Sequence, residues 1–84
     1  MTRLWPNGDA IVVESDLTGR PLRLNWKGAV HKVNEVTNFW RVDDSWWEQR
    51  IWRDYFTVTT QTELLLTIYC DRVSGEWFVE RLYD

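Results

Sequence analysis

Few side chains in this 84-residue sequence are of the types that make and break bonds. His31 is the only histidine, and a histidine base needs an accessible ring poised near neutral pH. Its expected neighbours, Leu22, Leu24 and Val33, make it a structural or rim histidine instead. Cys70 is the only cysteine, which excludes an internal disulfide and a cysteine-rich zinc site. It stands in an apolar run that favours the neutral thiol, so an inert core cysteine is expected. Asp43, Asp44 and Glu48 have cation-binding side chains, yet adjacent carboxylates ahead of a helical turn fit its N-cap and solvated surface. No phosphate-binding glycine loop, nucleophile elbow or metal-ligand spacing occurs. The residues point away from an enzyme: no catalytic group, metal or cofactor is expected.

Two constellations suit binding. Arg20, Arg23, Lys27 and Lys32 fall within residues 17–34, a stretch without an acidic side chain. If Lys27-Gly28 closes a hairpin, Arg23 lies opposite Lys32, and like charges facing each other across a strand pair are mildly destabilising. Such a pair suits an anionic partner, either a phosphate backbone or an acidic protein. Otherwise both side chains extend into solvent or meet acids from elsewhere. The second constellation is Trp46-Trp47. Adjacent side chains diverge by about 100° on a helix and point to opposite faces of a strand, so both rings do not enter one core from one side. An exposed ring there would stack on an unpaired base or anchor a protein interface; a split core that takes both is the plainer alternative.

Positioning these residues falls to a small fold. Domains usually run to about 100–150 residues, so this chain makes one. Its seven tryptophans, three tyrosines and three phenylalanines supply core mass, since each ring buries about 150–250 Å². That replaces the disulfides or metal on which short chains often depend. The net charge is −3, but residues 1–42 carry six Lys/Arg against four Asp/Glu, while residues 43–84 carry four against nine. A local basic face, and with it nucleic acid, is therefore not excluded. No apolar run approaches a signal peptide core or the ~18 residues of a membrane span. The cytoplasm is the expected location, with no membrane contact.

Residues 1–10, with Pro6 and Asn7-Gly8-Asp9, read as a loosely ordered N-terminal lead-in, and residues 11–84 as a single β domain. A short strand is expected over 11–14, broken by Leu17-Thr18-Gly19-Arg20-Pro21. From there Leu22, Leu24 and Trp26 alternate with Arg23, Asn25 and Lys27. A two-residue turn at Lys27-Gly28 pairs Trp26 with Ala29, Leu24 with His31 and Leu22 with Val33. Residues 33–42 stay extended but lose step, which predicts a bulge or a bend. Asp43-Asp44-Ser45 is expected to cap one helical turn through Glu48. Strands follow over 51–59, 63–71 and 76–83, the last two joined by Val73-Ser74-Gly75.

Pairing Asp71 with Glu76 sets Cys70 beside Trp77 and Ile68 beside Val79, and Phe56, Val58, Leu64 and Leu66 complete that face as a core. The other face carries Tyr69 with Phe78 and Leu65 with Leu82. It is equally apolar, so either another segment covers it or it is an interface. Five or six antiparallel strands without a useful helix make a small all-β barrel or sandwich, with an SH3-like or similar barrel expected.

Three strings carry a family resemblance: Trp40-Arg41-Val42-Asp43-Asp44-Ser45-Trp46-Trp47, Tyr55-Phe56-Thr57-Val58, and Gly75-Glu76-Trp77-Phe78-Val79-Glu80-Arg81-Leu82-Tyr83-Asp84. They resemble a bacterial domain family of uncharacterised function, whose small stand-alone proteins look alike over nearly the whole chain, including Val13-Glu14-Ser15 and residues 21–33. A similar segment, ending in an aromatic pair and Tyr-Asp, closes the catalytically inactive Y-family polymerase-like proteins of the bacterial mutasome. The resemblance implies an accessory role in DNA repair or translesion synthesis, without a polymerase palm or fingers.

The expected function is a non-enzymatic binding module that contacts a repair protein or single-stranded nucleic acid through Arg20, Arg23, Lys27, Lys32, Trp46 and Trp47. The alternative is a protein–protein or self-association module with no nucleic-acid role, using Leu65, Tyr69, Phe78 and Leu82.

Overall fold

The computed structural model describes residues 2–83, with the Trp46 side chain outside the described set. Six antiparallel strands close a barrel in chain order: β1 (Arg3–Ser15), β2 (Pro21–Trp26), β3 (Ala29–Trp46), β4 (Gln49–Thr60), β5 (Leu65–Asp71) and β6 (Trp77–Tyr83). The all-β expectation holds. Closure depends on two long strands that change partner along their length. β1 lies against β6 as far as Ile11 and against β2 from Val12. β3 lies against β2 from Ala29 to Lys32 and against β4 from Val33 onward.

The β2–β3 hairpin follows the alternation in its sequence. Arg23 pairs with Lys32, Leu24 with His31 and Trp26 with Ala29. Lys27 and Gly28 both take left-handed φ, 53° and 77°, as required by the tight turn whose twist matches that of its strands. Leu24 and Trp26 are buried, while Leu22 at the open end is exposed. Leu22 and Val33 do not pair, because Val33 has already turned to Thr60 of β4. The bulges expected over 33–42 occur at Val33/Glu35 and Val36/Asn38.

The inward side of β4 carries Phe56 and Val58, which meet Ile68 and Leu66 of β5 and, beyond them, Val79 and Leu82 of β6. Ile11, Leu24 and Trp26 complete the core from β1 and β2, and Trp5 packs onto it. Trp5 meets Trp26 edge to face at 5.5 Å, and Trp77 stacks on Phe56 at 5.6 Å. Trp26 and Trp77 thus take the inward places expected of them. Burial pushes the Cys70 thiol up, consistent with an inert core cysteine.

Three expectations are corrected. Residues 3–10 are strand, not a loose lead-in: β1 pairs Arg3 with Leu82 and Leu4 with Arg81, then bulges so that residues 5–8 span the single Glu80 before Asp9 meets Val79. Pro6, which lacks an N–H, sits in that bulge, where no ladder bond is required. The helical turn over 43–48 does not form. β3 runs straight through Asp43-Asp44-Ser45 to Trp46, and a two-residue turn at Trp47-Glu48 returns the chain, with Trp46 opposite Gln49. The ladder with β4 satisfies the backbone groups that a cap would have served.

The third correction concerns the outer face of β5 and β6. A bulge between Thr67 and Ile68 slips the register, so Leu66 rather than Leu65 faces Leu82, and Leu82 packs against the core. Only Tyr69 and Phe78 remain together outside, in a row of rings running Trp40, Tyr55, Tyr69, Phe78 across four strands, with centroids 5.0–5.2 Å apart. Gly8 lies against the Tyr69 hydroxyl and the Phe78 Cβ. The β1 bulge is therefore the cover that the second apolar face called for, and Tyr69 is 4% exposed.

Candidate functional site

The six residues singled out for binding are spread over the barrel. Arg23 and Lys32 do stand side by side, but Glu14 completes their row on β1 and pairs with Arg23 at 3.1 Å. The like-charge pair is thus relieved within the chain. Lys27 caps the hairpin with its ammonium 5.6 Å from the Trp5 ring and 5.3 Å from the Trp26 ring, a cation–π arrangement. Arg20 lies at the opposite end, as the last residue before β2. Trp47 is 86% exposed at the β3–β4 turn with φ 56°; the Trp46 side chain lies outside the described residues. From Lys32 to that turn β3 covers roughly 45 Å of contour at about 3.3 Å per residue. The basic hairpin and the tryptophan pair are separate features.

His31 bonds through Nδ1 to the Thr62 hydroxyl at 2.7 Å, a rim contact. Asp43 and Asp44 are successive strand residues, so their carboxylates leave opposite faces of the β3–β4 ribbon and do not converge on one cation. No group of three or more metal-binding side chains occurs among the described residues.

A more organised site lies at the open end of the barrel. β3 and β4 extend beyond the other strands as a two-stranded ribbon, in which Asp43 pairs with Trp52, Asp44 with Ile51 and Ser45 with Arg50. The side facing the barrel's open end carries Phe39, Arg41 and Asp43 from β3, and Phe56, Asp54, Trp52 and Arg50 from β4. Opposite stands the β1–β2 loop, residues 16–20. Its shape comes from Asp16, whose Oδ1 accepts from the Thr18 amide (2.8 Å), the Thr18 hydroxyl (2.6 Å) and the Arg20 amide (3.0 Å). The Thr18 hydroxyl is the main reason that this carboxyl is held below its usual range. Between loop and ribbon is an open cavity of about 410 Å³, with Val36, Phe39 and Phe56 as apolar lining and Arg20, Arg41 and Asp54 as polar lining.

Asp54 organises the charged part. Alternation with Phe56 and Val58 carries it inward, where its side chain is 8% exposed. A buried carboxylate requires partners, and two guanidinium groups supply them. Arg41 donates through Nε at 2.6 Å and Nη2 at 3.2 Å, a two-point match of fork and carboxylate. Arg72, from the β5–β6 loop, stands 3.8 Å away. The Arg72 amide also donates to the Trp52 carbonyl at 2.8 Å, and its guanidinium shares the Trp52 ring with Arg50, at 5.4 Å and 4.5 Å from the centroid. Arg50 reaches across to Asp43 at 3.3 Å.

The result is a continuous strip of four arginines, Arg20, Arg41, Arg72 and Arg50, against two aspartates, with Phe39 half exposed beside it. Chemically this is a concave, net-positive surface with an aromatic floor. It offers donors to an anion and a ring face to a planar group.

Replacing Asp54 with alanine is expected to cost roughly 1–3 kcal/mol. The lower part of that range applies because Arg41 is half exposed and water compensates it in part. Urea unfolding should show the loss, while Asp43→Ala, which removes only an exposed carboxylate, should change stability by less than about 0.5 kcal/mol.

Of this site the sequence points to Arg20 as a binding residue and to Asp43 as a cap, and to no other charged member. The alternation through Asp54, Phe56 and Val58 did carry a signal: an acid in phase with core residues must be paired or capped. Its partner, thirteen positions away, becomes visible only through the ladder.

A comparison with curated proteins gives no match, and neither does one with solved structures. A family model covers residues 4–84, so the strand ladder and the arginine strip described above both lie within it. The chain belongs to the family described as a domain of unknown function, DUF6504.

Proposed function

We propose that this chain is a non-enzymatic binding module that takes a short stretch of single-stranded nucleic acid at the barrel's open end, as an accessory of DNA repair or translesion synthesis. The observation that carries the reading is the meeting of the Phe39-lined cavity with the strip of Arg20, Arg41, Arg72 and Arg50. An unpaired base needs a ring to stack on, and its phosphates need guanidinium donors at the same depth. Both are present within one concavity. The resemblance of the terminal strings to mutasome proteins supplies the setting, in which exposed single strands are the common substrate.

The acidic second half of the chain limits non-specific attraction, so affinity should be modest and strongly dependent on salt. The test is a polarisation titration of a fluorescein-labelled oligothymidylate at several salt concentrations, with tryptophan fluorescence read in parallel. Binding should weaken as salt rises, and Arg20→Glu should flatten the log–log salt slope by about 0.7 or more, the single-strand value for one lost phosphate contact. Arg23→Glu, on the far side of β2 and opposite Glu14, should change it less. No binding at low salt up to high micromolar DNA, or equal loss in the two variants, would remove the nucleic-acid reading. In that case the protein–protein reading takes its place.

A further inference from the structure

The β3–β4 ribbon has a property that its side chains do not reveal. Beyond Lys32, β3 has a neighbour on one side only, so an edge of about ten residues is open along the ribbon. Which of its backbone groups point outward follows from two independent observations. The turn at Trp47-Glu48 has two residues, so the flanking pair Trp46 and Gln49 exchanges backbone bonds, and so do the alternate pairs from Asp44, Val42 and Trp40. The odd residues then face away from β4. In agreement, the Phe39 amide is taken by the Asn38 side chain at 2.9 Å rather than by the ladder. Among the described residues, the outward groups of Arg41, Asp43 and Ser45 have no backbone partner.

An open edge is normally guarded against pairing by charges, and here Arg41 and Asp43 carry them. These two charges are opposite and stand either side of Val42. In an antiparallel pairing of two copies centred near the middle of this edge, the axis passes at Arg41, at Val42 or at Asp43. Placed at Arg41 or Asp43, it sets a like charge against itself. Placed at Val42, it sets Arg41 of each copy opposite Asp43 of the other, twice, with Phe39 opposite Ser45. Of these three registers the charges oppose two and favour the one centred on Val42.

Both residues keep a solvent-facing side while bonded within the chain. Asp43 meets Arg50 at 3.3 Å with both side chains half exposed, and Arg41, bonded to Asp54 at 2.6 Å, is still 54% exposed, so a cross-strand pair adds to these contacts.

We propose that the open edge of β3 pairs with β3 of a second copy in the register centred on Val42, joining the two barrels through one continuous sheet. The two-fold axis then stands perpendicular to the sheet, and both concave faces open on the same side. This surface is distinct from the Tyr69 and Phe78 face, which the chain covers itself. The pairing stands whether or not the open end takes nucleic acid.

Two measurements test it. Light scattering or sedimentation over low micromolar to millimolar protein should show the 10.2 kDa chain giving way to a species of twice that mass. Asp43→Lys, which turns both cross-strand attractions into repulsions, should raise the dissociation constant roughly tenfold or more. Register is read by cysteines under mild oxidation. In a non-hydrogen-bonded antiparallel pair the two Val42 Cα atoms stand about 4.5 Å apart, within the range of a disulfide. Val42→Cys should therefore crosslink efficiently, and Asp44→Cys, displaced from the axis, should not. Dimers that survive Asp43→Lys, monomers throughout the range, or equal crosslinking at both positions would each overturn the proposal.

Discussion

Alanine at Gly8 is expected to destabilise the barrel by roughly 2–5 kcal/mol, although it adds one methyl group on the outside of a sheet. Two costs combine. Gly8 has φ 75°, and a residue with a Cβ pays about 1–2 kcal/mol in that left-handed region. The added Cβ would also stand 2.5 Å from the Tyr69 hydroxyl and 2.8 Å from the Phe78 Cβ. Phe78 cannot yield, since its Cβ moves only with the β6 backbone. Tyr69 is held between Tyr55 and Phe78, with the Arg53 guanidinium 4.6 Å from its ring, so overpacking adds roughly 1–3 kcal/mol.

At about 4–8 °C per kcal/mol for a domain of this size, thermal unfolding should fall by at least ten degrees or so. Gly19→Ala provides the comparison. It shares a left-handed φ of 88° but has nothing within 4 Å of the added atom, so only the backbone cost applies. Equal losses in the two variants would mean that the β1 bulge does not seal the outer ring row.

Ile68→Ala should be as damaging for the opposite reason, a void. Ile68 is fully buried, between Phe56 on β4 and Val79 on β6. Losing its branched chain removes transfer energy and leaves a cavity that a closed barrel collapses poorly, for roughly 2–5 kcal/mol. The whole domain has about 4–13 kcal/mol of stability to lose, judged by its length. Phe56 also lines the open end of the barrel, so the variant should weaken the proposed nucleic-acid binding as well as lower the urea midpoint. Leu65→Ala is the control. Leu65 is 37% exposed, and less than about 1 kcal/mol should be lost. If the two cost the same, the slipped register of β5 against β6 is wrong.

That slip illustrates the limits of a period-two pattern. Pairing of Cys70 with Trp77, Tyr69 with Phe78 and Ile68 with Val79 was legible, because a short turn at Val73-Ser74-Gly75 fixes the register near it. Beyond Ile68 a single bulge changed the face of every later residue, and Leu82 moved from the proposed interface into the core. Nothing in Thr67 or Ile68 announces a bulge. Its cause lies across the sheet, where β6 must also follow the four-residue excursion of β1.

The same reason explains the N-terminus. Pro6 and Asn7-Gly8 are turn residues by local preference, and locally they do form an irregularity. Tertiary contact decided that this irregularity is a bulge within a strand, folded over two aromatic rings. The β3–β4 turn went unread because Trp47-Glu48 has no residue suited to left-handed φ. The long ladder on either side imposes that conformation.

By itself, the sequence determined what depends on neighbours along the chain. That includes the β2–β3 hairpin through Lys27-Gly28, the alternation that buries Leu24, Trp26, Phe56, Val58 and Ile68, and the all-β class. Only the tertiary structure decided which charges meet. Glu14 pairs with Arg23 beside Lys32, and Asp54 gathers Arg41 and Arg72 into a site that no spacing suggested. Side-chain direction along a strand is a local property, set by the pleat. The meeting of residues 13 or 18 positions apart depends on register and closure, which many weak contacts fix together.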